Sequence, residues 1–183
     1  ALDGDQLAVG AIQDDGAGKV NSGAVHLFTG VGTNFSGLTW KDKLTSGSGA
    51  IGMPELTDEN RLGRAVALEG DKLVVGARVD DTGGTDRGAV FLFSGAESGF
   101  SGLRYQGKVA SSQGAVGMPA LADQDHFGSA VALDQGRLIV GADGSVTTAG
   151  AVYFFNGALQ SEVITDVTDA TFGNNPSGRS EEH

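Results

Sequence analysis

The chain has 183 residues, 31 of them glycine and 3 proline, with 39% apolar content and no cysteine. Neither a disulfide framework nor a thiolate metal site can be built from it, and no apolar run approaches the roughly 18 residues of a membrane span. Twelve basic against 23 acidic residues give a formal charge of −11, which repels nucleic acid and anionic membrane surfaces and suits cations, a basic partner or simple solubility.

The pattern in chain order is that of strands and turns. Asp3-Gly4-Asp5 reads as a tight hairpin, and the apolar stretch of Gln6-Leu7-Ala8-Val9-Gly10-Ala11 as the strand that leaves it. After a loop over Gln13 to Ser22, Gly23-Ala24-Val25-His26-Leu27-Phe28 gives another strand. Its opening glycine marks either a close backbone approach or a bulge. Phe35-Ser36-Gly37-Leu38 then leads into a weaker strand over Leu38 to Thr45, and a long loop follows over Ser46 to Arg61. Helix finds support only as a turn within Met53 to Asn60.

The same sentence is then written again. Arg64-Ala65-Val66-Ala67-Leu68 alternates, with Val66 and Leu68 on one face. Glu69-Gly70-Asp71 repeats the hairpin, and Lys72 to Ala77 is a nearly continuous apolar run, as for a strand covered on both sides. Gly88 to Ser94 and Leu103 to Ala110 follow, with Tyr105 matching Trp40 and Phe100-Ser101-Gly102-Leu103 matching the earlier connection. A third copy runs from Phe127 through Asp134-Gln135-Gly136, Leu138 to Ala142 and Ala149 to Phe155, with a last strand expected within Leu159 to Val167.

Self-similarity at about 65 residues means stacked units, none of which can bury its apolar face alone. Four antiparallel strands per unit is the build of a β-propeller blade. The expected fold is all-β, with about three blades and an incomplete ring. The expected division is repeat one over 1–62 without its first strand, repeat two over 63–127, repeat three over 128–167, and a polar tail over 168–183. Propellers need about four to eight blades. The chain is therefore expected to be part of a larger protein or to assemble as a homo-oligomer. Thr171-Phe172-Gly173 echoes Phe127-Gly128 as the start of a further repeat.

These residues resemble the FG-GAP repeat over roughly residues 1–157. Leu62-Gly63-Arg64-Ala65-Val66 and Phe127-Gly128-Ser129-Ala130-Val131 are similar to its first half, and Val75-Gly76-Ala77 and Val140-Gly141-Ala142 to its second, with Arg78 or Asp143 in place of proline. The resemblance implies the propeller of integrin α-subunit heads and, more closely, of bacterial surface proteins with variant repeats. Integrin-type repeats often hold calcium between the first two strands. Here three residues, Glu69-Gly70-Asp71, fill that place, too few for a cation that takes about six to eight oxygens, so that ligand set does not carry over.

Strand direction alternates, so the loops joining strands two to three and four to one emerge at the same end, and these are the long ones. Candidate binding residues on that face are Asp14, Asp15, Asp80, Asp81, Asp86, Asp123 and Asp125. Carboxylates on glycine-rich turns could hold Ca²⁺ at Asp14, Asp15, Asp80 and Asp81, although Asp and Gly are also simply good turn residues. His26 matches Phe91 and Tyr153 and reads as blade packing, His126 stands where repeat two has Arg61, and His183 lies in the tail. There is no Gly-x-Ser-x-Gly elbow with a placed His and Asp, and the acids are loop acids rather than a deep pair for glycoside hydrolysis. Catalysis is not expected. The expected function is an extracellular or cell-surface adhesion module contacting protein or glycan through the long loops. The alternatives are a structural spacer, or a lectin in which Phe35, Trp40, Phe100 and Tyr105 help to read one sugar per blade.

Overall fold

The computed structural model describes residues 1–115, 117–144, 150–156 and 163–164. Three four-stranded antiparallel sheets are formed among them, each in simple sequential order. Blade 1 consists of β1 (Leu2–Asp3), β2 (Gln6–Ala11), β3 (Ala24–Thr29) and β4 (Thr39–Leu44). Blade 2 consists of β5 (Leu62–Glu69), β6 (Lys72–Ala77), β7 (Ala89–Ser94) and β8 (Arg104–Ala110). Blade 3 consists of β9 (Phe127–Asp134), β10 (Arg137–Ala142), β11 (Ala151–Phe155) and β12 (Val163–Ile164). The all-β, propeller-like architecture is thus observed, and the ring is not closed. Of the strand expected within 159–167 only β12 is described. The 168–183 tail, with the Phe172-Gly173 echo and His183, lies outside the described residues.

Within the Met53 to Asn60 stretch a turn does form, at Asp58 and Glu59, without helix. Short 3₁₀ turns occur at Gly16–Gly18 and Val31–Thr33. Among the described residues no helix is long and apolar enough to cross a membrane.

Period-two alternation sends successive side chains to opposite sheet faces, and both faces of blade 2 are used. Leu73, Val75, Phe91 and Phe93 face blade 1, in one cluster with its Ala8, Val25, Leu27 and Leu44. Val74, Val90, Leu92 and Val109 face blade 3, in a second cluster with Phe127, Leu138, Val140 and Tyr153. That is why the β6 sequence is apolar almost without a break. Each fully buried Val, Leu or Phe contributes roughly 1.5–3 kcal/mol by area, so the stability of the chain resides in its two seams.

The repeated glycines are explained by those seams. A Cβ on Gly10 would lie 1.9 Å from the Gly63 carbonyl oxygen, and one on Gly76 2.0 Å from that of Gly128. Gly63 and Gly128 adopt φ of +95° and +89° and form bulges in β5 and β9. Each bulge swings the strand entrance beside the preceding blade, where Leu62 pairs in parallel with Gly23 and Phe127 with Gly88. The glycine opening the third strand is therefore a place of close approach. The two glycines of the sequence motif meet across a seam, not within a blade.

The short-hairpin end is stitched as well. Asp3 accepts the Gly70 amide at 2.6 Å, and Glu69 accepts the Gln135 and Gly136 amides at 2.6 and 3.2 Å. The acid of one hairpin thus holds the next hairpin.

Candidate functional site in the long-loop face

The two sets of long loops do share one end, because backbone bonds tie them together. In the first junction the Glu59 amide donates to the Val20 carbonyl at 2.8 Å and the Arg61 amide to that of Asn21 at 3.1 Å. In the second the Gln124 amide donates to Thr85 at 2.9 Å and the His126 amide to Asp86 at 3.2 Å. Side chains reinforce each pairing. Asp58 accepts the Val20 amide at 3.0 Å, Glu59 accepts from Asn21 Nδ2 at 2.8 Å, and Asp123 accepts from Arg87 Nε at 2.8 Å. The bonds from Asn21 and Arg61 hold the Glu59 carboxyl below the ordinary glutamate range.

The predicted acids fall into repeated roles. Asp15 is exposed, and its Oδ1 accepts the Asn21 amide at 2.8 Å; Asp81 is likewise exposed and accepts the Asp86 amide at 2.8 Å. These carboxylates brace the loop and still face solvent. Asp14 pairs with Lys43 Nζ at 3.1 Å, and Asp80 with Lys108 Nζ at 3.2 Å. Asp86 is half-buried and serves the seam through its carbonyl, whereas the half-buried Asp125 folds back onto the Ala122 amide at 2.8 Å.

Asp80 does not lie where the sequence suggests. It is buried beneath the face, bonded by Asn60 Nδ2 at 2.7 Å and the Thr82 amide at 2.9 Å as well as by Lys108. Asp14, Asp15, Asp80 and Asp81 do not converge either. Among the described residues no three His, Asp or Glu side chains are grouped to hold a metal ion. The proposed sugar-stacking aromatics also divide: Phe35 and Trp40 are exposed, while Phe100 is buried and Tyr105 half-buried.

Above Asp80 lies a pocket of about 250 Å³ lined by Leu56, Asn60, Asp80, Thr82, Tyr105 and Lys108, among others. A carboxylate only accepts, so the Asn60 amide must turn its NH₂ toward Asp80. Its Oδ1 is left buried with no hydrogen-bond partner. An unpaired buried acceptor costs about 1–3 kcal/mol. Lys108 cannot relieve it, because its ammonium is occupied by both Asp80 oxygens and by Thr82 Oγ1 at 2.5 Å, and it lies 5.4 Å from the Phe91 ring centroid. Burial, and then the Asp80 charge, push the Tyr105 phenol up, so it stays protonated and able to donate.

Sequence reasoning missed Asn60, Thr82, Lys43 and Lys108. A signal was present for the lysines, since both occur on the fourth strand at matching points of repeats that also match an Asp. It missed as well the His126 ring, whose Nδ1 lies 3.2 Å from the Gly144 carbonyl and 3.2 Å from the Arg78 guanidinium, with Asp143 at 3.3 Å. That cluster joins the end of β10 to the entrance of β9.

Residues 57–93 and 121–155 match the model of the FG-GAP repeat. These two stretches are FG-GAP-type repeats. Each matched stretch begins in the long loop before a blade and runs through its third strand, so each contains the incoming side of a loop pairing and the two motif glycines, Gly63 and Gly76 or Gly128 and Gly141. FG-GAP repeats mark a propeller-type module, in agreement with the three sheets. No curated protein matches the chain.

Proposed function

We propose that this FG-GAP module is a non-catalytic binding and adhesion unit of an extracellular or cell-surface protein, contacting protein or glycan through its long-loop face. One observation carries the reading. Two successive blades fix their long loops to one another by the same bonds at matching positions, which makes a single braced face rather than independent mobile loops. Function commonly sits on loops held by a rigid scaffold. The exposed carboxylates of Asp15, Asp58, Asp81 and Asp123 give the face an acidic rim, and the pocket lined by Asp80, Thr82, Tyr105 and Lys108 gives it a polar hollow. The chemistry that fits is a surface rich in donors: lysine or arginine side chains, or the hydroxyls of a sugar.

The test uses a glycan array and a panel of purified extracellular-matrix proteins. The wild-type chain is compared with Asp15→Asn, Asp81→Asn and Asp123→Asn combined. Asparagine keeps an oxygen for the turn-closing bonds of Asp15 and Asp81 and for the Arg87 bond of Asp123, and removes the charges. Binding that is present in the wild type and lost in the variant, with an unchanged far-UV spectrum, is the expected result. Absence of binding to every probe refutes the proposal and leaves the spacer reading.

A further inference from the structure

Positions that are buried in the two internal seams stand exposed at the two ends of the stack. On the side of blade 1 that faces away from blade 2, Phe35 is 57% exposed and Leu38 41%, whereas their matches in blade 2, Phe100 and Leu103, are 6% and 2% exposed. On the side of blade 3 that faces away from blade 2, Val152 is 41% exposed, whereas its matches Val25 and Val90 are both at 0%. Ile139 is 36% exposed there, against 1% for Ala8 and 4% for Val74. The molecule thus carries both halves of its own internal junction, one free at each end.

We propose that these two faces join head to tail between two copies of this chain. The first junction supplies the template. There the turn at Ala96–Phe100 of blade 2 seats on blade 1: Gln6 Nε2 donates to the Ala96 carbonyl at 2.6 Å, and Gly99 lies against the Thr29 methyl. The residues of blade 3 that match Gln6 and Thr29 are Arg137 and Asn156. These two line an open hollow of about 440 Å³ together with Ile139 and Phe154.

The segment of blade 1 that matches Ala96–Phe100 is Val31–Phe35. It is already shaped for the same task, since Phe35 and Phe100 hold φ of +61° and +66°. The Phe35 ring of one copy therefore enters the hollow of the other. At the hairpins Asp134 stands where Asp3 and Glu69 hold the next blade, and Gly4 stands where Gly70 is held.

Such a contact is heterologous, with different patches on the two partners. Three blades per copy give six for a pair, within the range of about four to eight in which propellers close. The occupant is a second copy rather than an unrelated protein, because every feature it must present is already presented by blade 1.

Native mass by size exclusion with light scattering tests this, with Trp40→Asp altering one face and Val152→Asp the other. Both side chains are exposed, so the fold of the single chain is retained, as checked by the far-UV spectrum. The wild type is expected at twice the 18.5 kDa of one chain. Each variant alone should run as a single chain, its dissociation constant raised at least roughly thirtyfold, as for loss of an interface anchor. A mixture of the two should restore a two-chain species, because each brings the face that the other lost. Phe35→Ser serves in place of Trp40→Asp should that variant misfold. A wild type that stays single at every concentration overturns the proposal, as does a pair that both substitutions leave intact. A mixture that stays single overturns the head-to-tail pairing.

Discussion

Replacing Gly76 by alanine tests the claim that stability resides in the seams. The added Cβ would lie 2.0 Å from the Gly128 carbonyl oxygen and 3.0 Å from its carbon. Carbon and oxygen approach no closer than roughly 3.3 Å, so β6 and β9 must part by about 1.3 Å at this point. Both sides are backbone, and no rotamer change can absorb the shift. A gap of 0.5–1 Å already forfeits about a quarter to a half of each dispersion contact, and Val74, Val90, Phe127 and Val140 all pack along this seam. The expected cost is about 3 kcal/mol or more, at or above the usual range for overpacking. It is a large share of the roughly 5–15 kcal/mol that holds a domain. Gly10→Ala should match it, since its Cβ would meet the Gly63 oxygen at 1.9 Å.

Gly141 is the internal control. It is the same motif position, but among the described residues no following blade lies over it, and the nearest atom to its Cβ is the Ala130 Cβ at 3.3 Å. Its φ lies outside the left-handed region, so alanine is compatible and the reduced freedom of the unfolded chain offsets any crowding. The expected change is within about 0.5 kcal/mol. Urea unfolding measures all three, with the slope of free energy on urea checked for constancy. If Gly76→Ala and Gly141→Ala cost the same, the seam account is refuted.

Two further outcomes follow from the loop end. Lys108→Met leaves the Asp80 carboxylate buried with only Asn60 and Thr82, at an expected cost of about 3 kcal/mol. Lys43→Met, whose partner Asp14 retains 21% side-chain exposure, should cost less than about 1 kcal/mol; equal urea midpoints for the two variants would contradict this. The depressed Glu59 carboxyl favours the folded state above the ordinary glutamate range near pH 4.3, and that contribution is lost as pH falls through the lower folded value. Unfolding from pH 6 down to 3 should therefore be steeper for the wild type than for Glu59→Gln; identical profiles would remove Glu59 from the seam.

The blades were legible in the sequence because alternation, hairpin turns and repetition are all local signals. Val66 with Leu68, and the unbroken apolar run of β6, were readable at sight, and both pack as that pattern requires. The pairing of Gly76 with Gly128 was not readable, since periodicity reports which face a residue is on but not what lies against it. The site was only half legible. Aspartates on glycine-rich turns look alike in sequence whether they point into solvent, as Asp81 does, or under a loop, as Asp80 does. What separates them is a lysine 28 residues away on another strand, together with Asn60 from the preceding loop.

The repeat unit of the sequence and the physical unit of the structure are therefore offset. The sequence repeats by blade, but what recurs energetically is a junction: two glycines from neighbouring blades, one loop pairing and one hairpin acid. Stacking proceeds through the sheet faces, perpendicular to the strands, whereas the long loops emerge along the strands. Adding blades or a second copy extends the loop face sideways without covering it. A stack built in this way can grow in one direction while its loop face stays open in another. It follows that substitutions which change assembly, such as those at Trp40 or Val152, and those which change recognition, such as those at Asp15 or Asp81, should act independently.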